Sequence, residues 1–221
     1  MHRYVSAITK IFRQHADPLQ ANGAKAYMRG QFEFLGLKAA LRQELSKTYM
    51  KTNLPHAADL EIIVKELWDL PEREYQYFAI DLLAAMRKYW KKEIITLFEF
   101  MLINKSWWDT VDHAASDLLG PYFKLFPESI KPVTDAWNQS DNFWLQRSSI
   151  MFQKKYKKDT DTALLATYIL RHTRSKEFFI QKAIGWALRE YSKTDPAWVI
   201  KFVASHQLAP LSQREALKRI G

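Results

Sequence analysis

Cysteine is absent from all 221 residues. That excludes a disulfide framework, thiolate metal sites and a cysteine nucleophile, and it fits a reducing compartment. Glycine is scarce, at six residues, and several of the eight prolines stand where helices would begin, so an all-β chain is disfavoured. No hydrophobic run approaches the length of a membrane span: the most apolar stretch, IITLFEFMLI, is about half of one. The opening MHRYVSAITKIF lacks the apolar core of a signal peptide. The expectation is a cytoplasmic protein, with no membrane partner.

What is present is hydrophobic and basic. Apolar residues make up 48% and aromatics 14%, enough for a sizeable core rather than a disordered chain. A formal net charge of +9 and a pI near 9.5 point to a polyanionic partner, most often nucleic acid. The six histidines show no metal-ligand spacing and no glycine-rich phosphate loop appears, so no cofactor or metal is expected.

Apolar periodicity divides the chain into about a dozen amphipathic helical segments with short breaks. Ser106 followed by Asp109 reads as a capping box, and Asp195 before Pro196 as an N-cap with proline in the first turn. Pro55, Pro71 and Pro127 mark further breaks. Short connections imply antiparallel neighbours.

The chain also repeats. SDNFWLQRSSIMFQKKY, from Ser140, aligns without gaps on SKEFFIQKAIGWALREY, from Ser175. The same step, taken backwards, brings Val111 and then Gln76 into the column of Gln146 and Gln181. A period in this range signals stacked helical hairpins, each burying its apolar face against its neighbours. The expected architecture is therefore all-α, an α-solenoid forming a single repeat domain over residues 1–221, with a concave basic groove.

In a solenoid, equivalent positions line up along one surface. One column reads Arg42, Tyr77, Asp112, Arg147, Lys182. It is polar and mixed, which predicts a groove-facing position, while the small residues Ala79, Ala114 and Ser149 in a neighbouring column predict close helix packing. Helical spacing places Arg147, Lys154 and Lys158 on one face, and Lys182, Trp186 and Arg189 on another. Facing helices stand roughly 10 Å apart, so basic residues repeated on them could follow a phosphate backbone. A solvated charged face is the plainer alternative.

Trp108 lies one turn before Asp112, and Trp186 follows Gly185, a mid-helix glycine that predicts a close backbone approach. A carboxylate between indole faces stabilises a cation. At ~4 Å and an effective dielectric near 20 the attraction is about 4 kcal/mol, and an indole face adds roughly 0.5 to 2 kcal/mol. Spent only in a transition state, that is on the order of a thousandfold in rate. Hydrolysis of a sugar-to-base bond passes through such an oxocarbenium-like cation. No partner acid is evident in the column, so the chemistry suits a leaving base already positively charged, which departs neutral without being protonated. His113 points about 100° away from Asp112 on a helix and is read as packing or solvent-facing.

With these residues in view, the chain resembles the AlkD-type alkylpurine DNA glycosylases, which are built from HEAT-like helical repeats. The stretches that carry the resemblance are FEFLGLK, IIVKELWDLPERE, KSWWDTVD, SDNFWLQR, SSIMFQKKY, SKEFFIQKAIGWALREY and LAPLSQREA, covering most of the chain. The resemblance implies helical repeats curved around duplex DNA and release of cationic N3- and N7-alkylated purines, leaving an abasic site, without base flipping. It implies Asp112 as catalytic carboxylate, Trp108 and Trp186 as the site tryptophans, Arg147 as a DNA-backbone contact and Tyr27 as an aromatic near the lesion. Lys154, Lys158, Lys182, Arg189 and Arg42 complete the expected DNA-binding set. A monomer without an obligate protein partner is expected. The competing readings are a non-catalytic repeat protein that binds nucleic acid structures and a protein-interaction scaffold. Asp112 separates them, because a surface that only binds phosphates has no use for an acid.

Overall fold

The computed structural model describes residues 1–220. Among them the structure is all-helical, with one isolated β-bridge between Glu33 and Glu72 and no strand ladder. No helix among these residues is long and apolar enough to cross a membrane. The chain divides into two compact units, Met1–Leu97 and Phe98–Gly221.

The first unit holds α1 (Arg3–Gln14), α2 (Pro18–Tyr27), α3 (Ala39–Thr52), α4 (Leu60–Asp69) and α5 (Arg73–Ala85). Helix α1 packs on α3 and α4, and α5 on α3 and α4. Their shared core is aromatic: Phe12 stacks on Tyr75 and meets Phe78 edge-on, while Tyr4 and Tyr49 close the same cluster. The segment FEFLGLK is fastened to the start of α5. The buried Glu74 carboxylate accepts the backbone N–H groups of Leu35, Gly36 and Leu37 at 2.9 to 3.1 Å. Gly36 has a φ of +86° and a Cβ there would fall 2.1 Å from the Asp17 carbonyl oxygen, so only glycine makes this turn. Arg73, fully buried, lies over the Phe32 ring. Two of the family-like stretches thus serve the fold.

The boundary falls inside α6 (Ile95–Ile103). The second unit continues with α7 (Trp108–Ala114), α8 (Gly120–Leu125), α9 (Ile130–Asn138), α10 (Phe143–Met151), α11 (Thr162–Arg171), α12 (Phe178–Tyr191), α13 (Pro196–Ser205) and α14 (Pro210–Leu217). Helices α7, α10, α12 and α14 touch in succession and form one row, and α9, α11 and α13 pack against its members. A single π turn, Ala115–Leu119, joins α7 to α8. Pro121 follows it and has no N–H to give, so a widened turn accommodates its ring without ending the helical path.

Side-chain caps start four successive helices here, α10 to α13. Asn142 accepts from Trp144 and Leu145, Asp161 from Leu164, Glu177 from Phe179 and Asp195 from Trp198. The N-cap expected at Asp195 is present; the capping box expected at Ser106 is not. Helix α7 starts one residue later, behind Trp107, and the Ser106 hydroxyl donates back to the Leu102 carbonyl at 2.5 Å, finishing α6 instead.

The repeat has a physical basis at its glutamines. Gln76, Gln146 and Gln181 each donate an amide hydrogen bond to the carbonyl six residues earlier, that of Leu70, Ser140 and Ser175, at 2.9, 2.6 and 2.9 Å. Each ties the first turns of its helix to the loop before it. The small column also packs as expected, with Ala79, Ala114 and Ser149 all buried.

Candidate functional site

The row α7, α10, α12, α14 brings residues from four helices to one place. Asp112 stands on α7, Arg147 on α10, Lys182, Trp186 and Arg189 on α12, and Glu215 on α14.

Arg147 holds Asp112 as a fork. Its Nε donates to Oδ1 and its Nη2 to Oδ2, both at 2.7 Å, while Nη1 donates to the Phe179 carbonyl at 2.5 Å. The arginine side chain is 1% exposed and the aspartate 14%. Two parallel charge-assisted bonds fix the carboxylate in one rotamer. Each carboxylate oxygen keeps acceptor capacity, because an ionised carboxylate has about four lone-pair sites.

Trp186 lies at the centre of a ring of cations. The Lys182 Nζ is 4.9 Å from the indole centroid, the Arg147 Cζ 5.4 Å, the Lys154 Nζ 5.6 Å and the Arg189 Cζ 5.8 Å. All fall within the reach of cation–π attraction, which is about 6 Å. The electron-rich indole reduces the mutual repulsion of four positive groups. Glu215 supplies the counter-charge: it accepts from Trp186 Nε1 at 3.1 Å and from Arg189 Nη1 at 2.8 Å, and pairs with Lys182 Nζ at 3.0 Å. Burial pushes the Glu215 carboxyl up, but the Lys182 bond and charge, the indole bond and the Arg189 charge outweigh it, and its pKa lies below the ordinary value of 4.5. Four cations against two carboxylates leave the cluster positive.

Gly185 is what lets α14 come so close. A Cβ there would lie 2.5 Å from the Glu215 Cβ and 3.0 Å from the Ser212 carbonyl oxygen. The close approach expected at this glycine is real, and its consequence is the delivery of Glu215 to Trp186. Sequence reasoning missed Glu215. The stretch LSQRE offered an acid, yet nothing in a period of helical hairpins tells which loop-to-helix offset brings it back onto α12.

Other expected residues fall as follows. Trp108 is half-buried in the first turn of α7, one turn ahead of Asp112. Its neighbour Trp107 packs inward, against Phe179 at 5.2 Å and Trp144 at 6.0 Å. Lys154 and Lys158 do not continue the α10 face, because α10 ends at Met151. Lys154 reaches Trp186 from the following turn, and Lys158 is exposed in a 3-10 turn beyond it. A cavity of about 310 Å³ adjoins the cluster through Lys154 and is lined also by Lys157, Lys193, Thr160 and Thr194. His113 faces away from Asp112, with Nε2 3.5 Å from Asp117 one turn on. In the first unit, Tyr27 is 71% exposed at the end of α2. Arg42 is buried, paired with Asp81 at 2.6 Å and lying 5.0 Å from the Tyr77 ring centroid.

The polar column therefore has a reason besides exposure. Arg42 with Asp81, Asp112 with Arg147, and Lys182 with Glu215 are ion pairs built into the helix rows. Among the described residues no group of three or more histidines, cysteines or acids is gathered to hold a metal.

The profile of the family described as "DNA alkylation repair enzyme" matches residues 8–220. Among solved structures, the chain is similar to one described as a predicted DNA alkylation repair enzyme from Enterococcus faecalis, at 35% identity and a TM-score of 0.87, covering 93% of this chain and 97% of that one. AlkD2 from Streptococcus mutans shares 16% identity at a TM-score of 0.61, over 82% of this chain and 88% of its own. The smu.31 structure from Streptococcus mutans UA159 shares 17% at 0.61, over 95% and 100%. The last two similarities are of fold alone. No curated protein matches the chain.

Proposed function

The chain belongs to the DNA alkylation repair enzyme family, and from that premise we propose that it is a monofunctional DNA glycosylase. Its substrate is duplex DNA carrying cationic N3- or N7-alkylated purines, and it hydrolyses the bond between sugar and base, leaving an abasic site. The observation that carries this reading is Asp112, a carboxylate fixed in one rotamer by Arg147, whose guanidinium in turn lies 5.4 Å from the ring centroid of Trp186.

The chemistry asks for three things. Positive side chains hold the phosphates on either side of the lesion; Lys154, Lys158, Lys182 and Arg189 are the residues assigned to this, whereas Arg42 is buried and already paired with Asp81. A negative group must face the sugar as it turns cationic, and a water must be oriented for attack at the same carbon. Asp112 does both, since each oxygen retains acceptor capacity beyond its bond to Arg147. Trp108 and Trp186 offer indole faces to the same cation. The alkylated base leaves neutral, so no general acid is needed, and Glu215, already an acceptor for three donors, is not cast as one.

Arg147 has a part in this scheme as the support of Asp112. A direct phosphate contact from its guanidinium requires the pair to open, because the side chain is 1% exposed. That same burial favours the second reading, a nucleic-acid-binding protein in which the pair is purely structural.

The test is incubation of the full chain with duplex DNA containing N7-methylguanine and assay for free base. Wild type is expected to release base and Asp112→Asn to lose release while keeping DNA affinity. Undiminished release by Asp112→Asn removes Asp112 from the chemistry, and no release by wild type leaves the binding-protein reading.

A further inference from the structure

We propose that Glu215 is a positioning residue: it fixes the indole of Trp186, together with the Lys182 and Arg189 charges around it, in the geometry that the site uses. The kinetic part of this rests on the glycosylase reading above; the geometric part does not.

Three donors from one face of α12 converge on this single carboxylate. Lys182, Trp186 and Arg189 are spaced by four and then three residues, so they rise along one side of the helix. Oε1 takes the lysine at 3.0 Å, and Oε2 takes both the indole N–H at 3.1 Å and the arginine at 2.8 Å. Without an acceptor at this point the indole is free to turn about χ2, a soft torsion in aromatic side chains. The two cations would then repel one another and swing outward.

The arrangement is built rather than incidental. Glu215 is 8% exposed, so solvent competes little for its oxygens. Its helix is held against α12 by Gly185, and also by the Ser212 hydroxyl, which donates to the Gln181 carbonyl at 2.8 Å. Both anchors are on the side of α14 that carries Glu215. A salt bridge at an exposed surface contributes little, whereas a shielded carboxylate cannot be removed from between two cations without leaving charge uncompensated.

Glu215 does not touch the reacting atoms in this scheme. Its donors keep it ionised, so it has no proton to deliver to a leaving base. Its influence passes through Trp186.

The experiment uses the full-length chain, labelled with 15N, and the variants Glu215→Gln and Glu215→Asp. The Trp186 indole N–H cross-peak is identified by its loss in Trp186→Phe. Glutamine keeps the size of the side chain but meets the two cations with an amide. The expected result has three parts. The Trp186 cross-peak moves in Glu215→Gln. Single-turnover base release falls about tenfold or more, the loss expected when a hydrogen bond that orients a site group is removed. Affinity for the duplex stays level or rises, because a negative charge has left a surface that phosphates approach. Glu215→Asp restores most of the rate. A cross-peak that stays in place overturns the proposal, as does an unchanged release rate beside a moved cross-peak. So does a parallel fall of rate, affinity and melting temperature, which is what a merely structural role gives. If wild type releases no base, the glycosylase reading fails, and the cross-peak alone decides for or against Glu215.

Discussion

Asp112 and Arg147 stand one repeat apart, 35 residues, and their side chains are joined by two parallel hydrogen bonds of 2.7 Å. The period itself makes this pair. Equivalent positions on neighbouring helices of the row face each other, so an acid in one repeat and a base in the next find one another without any loop to guide them. The pair then serves two ends: it locks α7 to α10, and it leaves the carboxylate with a single orientation.

Removing either partner leaves the other charged and poorly solvated. Arg147→Ala also strips the Phe179 carbonyl of its donor. A loss of about 3 kcal/mol in urea unfolding is expected, at the low end for breaking a buried pair because Asp112 keeps some solvent. Asp112→Asn should cost less, about 1 to 2 kcal/mol, since one acceptor remains for the guanidinium. A double-mutant cycle should return a coupling of about 1 to 3 kcal/mol. Additive effects would mean that the fork is not present in solution.

Gly185→Ala opposes two effects. Alanine favours helix by about 1 kcal/mol over glycine, but the new methyl lies 2.5 Å from the Glu215 Cβ and 3.0 Å from backbone at Ser212. Backbone cannot step aside as a flexible side chain does, so α14 must move. Overpacking of this kind costs about 1 to 3 kcal/mol, and the net expectation is a melting temperature lower by a few degrees. The Trp186 indole N–H, whose acceptor rides on α14, should shift in the same variant. A raised melting temperature would show that α14 sits farther from α12 than the structure has it.

Much of this was legible in the sequence, and the parts that were not have identifiable causes. Helix breaks at Pro55, Pro71 and Pro127 and the Asp195 cap follow from local backbone rules, and the structure has them. The repeat was visible because its glutamines, Gln76, Gln146 and Gln181, perform one local task, bonding a carbonyl six residues back. At Val111, the one hydrophobic member of the column, that task lapses. The face shared by Arg147, Lys154 and Lys158 was misread, since nothing local announces that α10 stops at Met151. Ser106 was misassigned because a serine hydroxyl can cap the following helix or bond the previous one, and only tertiary context decides. Glu215 was missed for a deeper reason: its role depends on how closely α14 packs, and Gly185 marks that a close approach exists without saying what approaches.

The lysines separate by how they are held. Lys154 and Lys158 sit beyond the end of α10, whereas Lys182 is paired with Glu215 at 3.0 Å. A lysine that neutralises a phosphate releases about one counterion, so its removal lowers the slope of log affinity against log salt by about 1. Lys154→Ala and Lys158→Ala should each show that loss on duplex DNA. Lys182→Ala should show less, because its charge is already shared with a carboxylate. Slopes that do not respond to Lys154 or Lys158 would remove them from the binding surface.

Acid stability of the second unit should carry a histidine signature. His172 lies between α11 and α12, with its Nε2 3.0 Å from the Asn138 carbonyl. Burial pushes its pKa down, the Asn138 bond pushes it up, and the Arg171 charge pushes it down again, leaving it below the ordinary 6.5. The unfolded chain therefore takes up a proton at a higher pH than the folded one. Stability from this group is complete above pH 6.5, and it is lost as the pH falls through the lower folded-state value. Urea midpoints measured from pH 7.5 down to about 5, where most carboxylates remain ionised, should decline for wild type. His172→Gln keeps an amide donor for the Asn138 carbonyl but cannot titrate, so its midpoints should decline less over the same range. Equal declines in both proteins would show that the imidazole gains a proton as easily folded as unfolded, and that its burial beside Asn138 is too slight to hold it neutral.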